Sequence, residues 1–207
     1  GNTRAITESL SVDTDPPVSV NVESYTRDHT GLRGISIALT DDTVDVGHVV
    51  DGPGGVQVDP VSFASYDLAA LGETSLGFTQ NVPDGSHLVI TATDDAGNTT
   101  GTYLVVDDTT TSVVDMTGAA KLGQFQIETI DLQFAEDSEL TITEAQLLAL
   151  SSHSDTVTVT GGSDDTVTIT GATLTGTATD ETGQGFNVYS LGEGTVRIED
   201  DITNVVI

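Results

Sequence analysis

The groups in this chain best equipped for chemistry are carboxylates, and they come in clusters. Asp13 and Asp15 lie close together, Asp41 and Asp42 are adjacent, Asp94 and Asp95 stand just before Asn98, and Asp107 and Asp108 form a further pair. Hard oxygens at this density suit calcium, which takes roughly six to eight oxygen ligands in a flexible shell. The expected calcium ligands are therefore Asp13, Asp15, Asp41, Asp42, Asp94, Asp95, Asn98, Asp107 and Asp108. Any one of these aspartates also fits a solvated turn, because Asp favours turns. It is the density over the whole chain that points to an ion. The loop pattern of an EF-hand is nowhere satisfied.

Other chemistries are poorly supplied. His29, His48, His87 and His153 fall in no HxH or HExxH arrangement, so zinc is not expected. Cysteine is absent, which removes disulfides and thiolate nucleophiles. No Gly-x-Ser-x-Gly elbow occurs. Paired carboxylates arise in any acidic chain and do not by themselves indicate glycoside cleavage. Aromatic residues make up 4% of the chain with no Trp, a poor platform for stacking a sugar. The chain is not expected to be an enzyme.

Charge narrows the partners. Five Lys and Arg against 33 Asp and Glu give a net charge of −28. Nucleic acid and anionic membrane surfaces demand a basic footprint, so neither is an expected partner. A compact fold with so much like charge repels itself unless salt screens it or divalent cations coordinate it. No run of about 18 apolar residues exists, so no transmembrane helix or direct membrane insertion is expected. The polar opening Gly1-Asn2-Thr3 lacks a signal-peptide pattern, and the chain is expected to be a piece of a longer one.

The elements that must position these acids are strands. Thr, Val, Asp and Gly dominate, and apolar residues fall in short alternating runs, which predicts an all-β protein. Residues 18–22 alternate after Pro16-Pro17 and are expected to be the first strand of a sandwich; 35–39 alternate again and break at Asp41. A turn is expected at 51–55, a strand over 87–93, a turn at 94–98 and a closing strand over 99–106. Short strands with regular turns point to an immunoglobulin-type sandwich without its Cys–Trp–Cys core. Residues 43–79 fit no repeat. They are expected to form an irregular stretch in which His48, Phe63 and Tyr66 are available to a loop-built pocket, with a packed loop as the plainer alternative.

In the second half, 127–132 alternate as a strand. Residues 141–150 switch to helical spacing, and Thr143 with Gln146 forms a capping box for a two-turn helix. Two near-identical units follow, Asp155-Thr156-Val157-Thr158-Val159-Thr160-Gly161 and Asp165-Thr166-Val167-Thr168-Ile169-Thr170-Gly171. They are expected to be neighbouring strands joined by Gly161-Gly162-Ser163-Asp164. Further strands are expected at 186–189 and 196–198.

Two resemblances attach to these residues. Pro83-Asp84-Gly85-Ser86-His87 through Thr93-Asp94-Asp95-Ala96-Gly97-Asn98 resembles the closing half of bacterial Ig-like repeats. Asp13-Thr14-Asp15-Pro16-Pro17 is similar to the linker between such repeats. The second half, from 127–132 through the Leu-rich helix and the Asp-Thr-Val units to Asn187-Val188-Tyr189 and Asp200-Asp201-Ile202, resembles a module near the C-terminus of giant repeats-in-toxin (RTX) adhesins. That resemblance implies type I secretion, display on the bacterial cell surface, and calcium-dependent folding outside the cell. The family's calcium nonapeptide is absent, so no β-roll is expected.

Together these readings predict an Ig-like β-sandwich followed by a second β-rich module with one short helix. Residues 1–12 are a strand or linker from a preceding unit, 13–108 the sandwich, and 109–207 the second module. The expected function is a calcium-stabilised scaffolding segment of an extracellular adhesin that supports cell adhesion and biofilm formation. Its expected partners are neighbouring modules of the same adhesin, and the segment itself is expected to be a monomer. The alternative is a module that binds a cell-surface peptide or glycan.

Overall fold

The computed structural model describes residues 13–52, 55–107 and 112–207. The chain is all-β, as its alternation predicts. The first half supplies β1 (Val22–Asp28), β2 (Gly31–Ala38), β3 (Thr43–Gly52), β4 (Gly55–Pro60), β5 (Phe63–Leu68), β6 (Glu73–Val82), β7 (His87–Thr93) and β8 (Thr99–Asp107). One sheet runs in the order β1-β2-β6-β5, and the facing strands run β8-β7-β3-β4. All pairs within these two sets are antiparallel. Val22, Leu32, Ile37 and Leu76 from the first sheet pack against Val46, Leu88, Ile90 and Leu104 from the second. Alternate residues of these strands fill one apolar layer, as sandwich packing requires, except in β4, whose Val56 and Val58 pack against the core of the second half.

Two expectations for this half are corrected. Residues 18–22 alternate in burial, with Val20 and Val22 buried and Val18 exposed, yet the ladder begins only at Val22. Pro16 and Pro17 lack the N–H that a ladder needs. The stretch instead lies against the core and is held by Thr102 Oγ1, which donates to the Val20 carbonyl at 2.8 Å. Residues 43–79 are not irregular: they contain all of β3, β4 and β5 and much of β6. Gly47, Gly52, Gly55 and Gly77 interrupt the alternation there and hide the strands from a periodicity reading.

The second half contains β9 (Ser112–Asp115), α1 (Ala119–Leu122), a 3-10 turn (Gly123–Phe125), β10 (Ile127–Ala135), β11 (Ser138–Thr141), α2 (Glu144–Leu150), β12 (Thr156–Thr160), β13 (Thr166–Thr168), β14 (Thr173–Thr179), β15 (Gly185–Leu191), β16 (Gly194–Glu199) and β17 (Asn204–Val206). The α2 capping box forms as expected: Thr143 N donates to Gln146 Oε1 at 2.9 Å, and Gln146 N donates to Thr143 Oγ1 at 3.4 Å. The short α1 has no alternation or cap to announce it and was not expected.

The two Asp-Thr-Val units are not neighbours in one sheet. β12 pairs in parallel with β10 and β16, whereas β13 pairs in parallel with β11 and β17. Their similarity reflects two sides of one turn of a coil. The chain climbs through paired strands β8–β9, β10–β11, β12–β13 and β16–β17, each stacked on its predecessor. This is a short two-sheet parallel solenoid. Helices α1 and α2 fill the returns between successive turns, and the β14–β15 hairpin extends the larger sheet beyond β16. Ile130, Leu140, Leu147, Val157, Val167 and Ile198 fill the interior. A parallel coil therefore forms here without the nonapeptide repeat.

One strand belongs to both halves. β8 pairs antiparallel with β7 on one edge and parallel with β10 on the other, so a single nine-stranded sheet runs from β14 to β4. At that seam Gly101 N donates to the Gln126 carbonyl at 2.8 Å. A Cβ on Gly101 would collide with the neighbouring Phe125 carbonyl. Because the sheet is continuous, the two halves are expected to unfold in one calorimetric transition. Gly101→Val is expected to cost about 1–3 kcal/mol of overpacking and to lower that transition by roughly 2–10 °C. Two resolved transitions, of which the substitution moves only one, would contradict this.

Candidate functional site

The acids of the first half gather at one end of the sandwich. Thr43 pairs with Thr93, and Thr93 with Thr99, so the loop holding Asp41 and Asp42 and the turn 94–98 sit at the same end of their sheet. The N-terminal segment arrives there too. Asn98 Nδ2 donates to Asp94 Oδ2 at 2.8 Å and lies 3.4 Å from the Asp13 carbonyl and 3.3 Å from the Asp15 carbonyl. Three oxygens thus surround an amide nitrogen that carries two hydrogens. Asp94 Oδ1 accepts from the main-chain N–H groups of Ala96 and Asn98 at 2.9 and 2.8 Å. These bonds, led by the one from the Asn98 side chain, hold the Asp94 carboxyl below the usual carboxylate range.

The other expected ligands stand apart from this cluster. The Asp13 carboxylate accepts from Asp15 N at 3.1 Å, and the Asp15 side chain is exposed. Asp42 Oδ2 accepts from Thr40 Oγ1 at 3.0 Å, while Asp41 and Asp95 are exposed. Asp107 closes β8 at the far end of that strand, and Asp108 lies outside the described residues. Among the described residues, no three His, Asp or Glu side chains converge on one point. What meets at this end is one carboxylate, one amide and two main-chain carbonyls. All are hard oxygen donors of the type calcium takes once the Asn98 amide turns its oxygen inward.

A second group of acids lies in the solenoid, where sequence reading did not look for one. Asp131, Asp165 and Glu199 are all buried. Asp165 and Glu199 brace the corner where the chain leaves the large sheet after β12, and Asp131 lies within β10 at a register shift. Asp165 accepts from Ser138 N at 3.0 Å and from Gly162 N at 2.7 Å. Glu199 accepts from Gly161 N at 2.9 Å, and Asp131 from Gln133 N at 3.0 Å and Thr160 Oγ1 at 3.3 Å. These carboxylates satisfy main-chain donors that the corner and the register shift leave unpaired. Burial pushes all three carboxyls up; Asp131, further raised by Glu199 and Asp165, reaches about 6. The available signal was an acid set within an apolar alternating strand, at Asp131 between Ile130 and Leu132.

The residues proposed for a pocket separate. His48 in β3 borders a groove of about 500 Å³ together with Asp59, Ser62, Thr79, Asn81 and Pro83. Burial lowers the His48 pKa, and the facing Asp59 partly opposes that shift. Phe63 packs against the sandwich core instead, and Tyr66 is exposed on β5. His87 is engaged by the Tyr103 hydroxyl at 2.7 Å.

The raised Asp131 pKa has a definite sign. A carboxyl whose folded pKa lies above its unfolded value of 3.8 adds stability when protonated and loses it as pH rises through about 6. Asp131→Asn is therefore expected to raise the melting temperature at pH 7.5, by an amount equivalent to at most about 3 kcal/mol. The gain over the parent should shrink as pH falls and vanish near pH 4. Melting curves of both proteins across that range check this, and an equal difference at both ends would contradict it.

Compared with known proteins, the chain matches no protein-family model, no curated protein sequence and no solved structure.

Proposed function

We propose that this chain is a calcium-stiffened structural segment of a large extracellular bacterial adhesin, holding other modules of that protein at a distance from the cell surface. The observation that carries this reading is the oxygen cluster at the end of the sandwich. It ties the N-terminal segment at Asp13 and Asp15 to the turn at Asp94 and Asn98, which is where an ion would stiffen a joint with a preceding module. Asp94, Asn98 and the carbonyls of Asp13 and Asp15 would hold calcium there. The ion would supply a positive charge that a chain of net −28 lacks at this joint.

The fold supports a spacer in two further ways. The strand orders β1-β2-β6-β5 and β8-β7-β3-β4 correspond to the ABED and GFC sheets of an immunoglobulin sandwich with one added strand, a module common in extracellular proteins. The sheet running through β8 and β10 resists bending between the halves. The groups gathered at the Asp94 joint are oxygen acceptors and hydrogen-bond donors, which suit a stiffened connection.

A melt in millimolar calcium against excess EGTA at equal ionic strength tests the proposal. A ligand present at about a thousand times its dissociation constant stabilises a fold by about 4 kcal/mol. In a chain of this size that is a rise of roughly 10 °C. Asp94→Asn keeps the shape of the turn and removes the charge. It is expected to lower the EGTA midpoint somewhat, because the carboxylate loses its bond from Asn98, and to abolish most of the difference between the calcium and EGTA midpoints. An identical parent midpoint in calcium and EGTA would sink the proposal.

The groove beside His48 favours a second reading, a module that binds a peptide or glycan. A neutral imidazole, the Asp59 carboxylate and the Asn81 amide offer donors and acceptors between the apolar walls of Pro60 and Pro83. Titration with glycan and peptide pools is expected to shift the His48 imidazole resonances and leave those of exposed His29 unchanged. No shift at His48 would remove this reading.

A further inference from the structure

Among the described residues, six strands form the free edges of the three sheets: β1 and β5, β4 and β14, β9 and β17. A free edge presents unpaired N–H and C=O groups, and folded proteins blunt it with charge, proline or brevity. Five of the six edges follow that practice. β1 carries Glu23, Arg27 and Asp28; β5 carries Asp67; β4 carries Asp59 and ends on Pro60. β9 has 4 residues and β17 has 3. β14 differs. Its 7 residues, Thr-Leu-Thr-Gly-Thr-Ala-Thr, include neither charge nor proline. It lies within residues 166–179, the longest run of the chain without an acidic or basic side chain. Nearly all of the strand is exposed, including Leu174 at 53%.

We propose that β14 is an association edge whose occupant is β14 of a second copy, paired antiparallel about a two-fold axis. The two nine-stranded sheets would then join into one. Charge selects this occupant. Two chains of net −28 repel over most of their surfaces. At β14 two backbones reach a ladder spacing of about 4.8 Å without setting carboxylates opposite one another. A two-fold contact must be self-complementary, and a strand with Thr at alternate positions pairs threonine with threonine when reversed on itself. The bulge between Leu174 and Gly176 twists one end of the strand, so the regular contact is centred on Thr177, with Thr175 opposite Thr179 of the second copy.

This contact is far smaller than a standard interface of about 1,600 Å². The dimer is therefore weak and forms when the remaining charge is screened, which departs from the monomer expected from sequence.

Sedimentation of the whole chain at low salt and in about 1 M NaCl, where the Debye length falls to about 3 Å, tests this. The parent is expected to be a monomer at low salt and to approach twice that mass at high salt. Thr177→Lys, at an exposed position, is expected to remain a monomer at both salts with an unchanged melting curve, whereas Glu23→Lys on the β1 edge dimerises like the parent. A parent that stays monomeric at high salt overturns the proposal, as does a Thr177→Lys variant that dimerises equally well.

Discussion

Everything in this molecule depends on the two edges of β8. On one side its antiparallel ladder with β7 completes a sandwich; on the other its parallel ladder with β10 begins a solenoid. The strand must serve two cores as well as two ladders. Leu104 and Val106 point into the sandwich, while Tyr103 and Val105 point into the solenoid. Such a strand has no solvated face, which explains why residues 100–106 are buried throughout. The same constraint requires Gly101, because the chain returning from α1 passes too close for a side chain.

The charge divides along the same lines. Most acids remain in water, where repulsion is modest and salt relieves it. Three are buried, and each accepts a main-chain N–H bond, Asp165 and Glu199 at a corner of a solenoid turn and Asp131 at an irregularity within β10. A parallel coil has to break its ladder at every corner, and the donors left over need acceptors. Aspartate and glutamate meet that need at the expense of a raised pKa, which burial explains. The acids at the sandwich end are of the opposite kind: exposed or half-buried, and at Asp94 bonded to turn N–H groups and shifted downward.

Sequence patterns revealed local structure well where the signal lay within the segment itself. β7 and the turn at 94–98 lie where alternation and Asp-Gly-Asn chemistry put them, and Thr143 with Gln146 marked the start of α2. Asp13, Asp15, Asp94 and Asn98, each singled out from sequence as an oxygen donor, also meet at one end of the sandwich. Pairing partners were harder. Val157 and Val159 alternate with threonines in β12 exactly as an antiparallel neighbour of β13 would. Alternation says which face is buried and nothing about which strand lies alongside. The buried acids escaped notice for a related reason: Asp165 sits in a Gly-rich turn that reads as solvent-exposed, and only the stacking of corners encloses it.

The sharing of β8 also fixes an order of stacking. A parallel turn of the coil has no partner of its own and needs the preceding turn as a template, since distant segments must meet before any ladder bond forms. For the first turn that template is β8, which the sandwich alone holds in place through its hairpin with β7. In the folded chain the ladder runs outward from the sandwich, through β10 and β12 to β16, each strand seated on the one before. The sandwich thus offers the solenoid a ready-made ladder edge, as a seed face does a crystal.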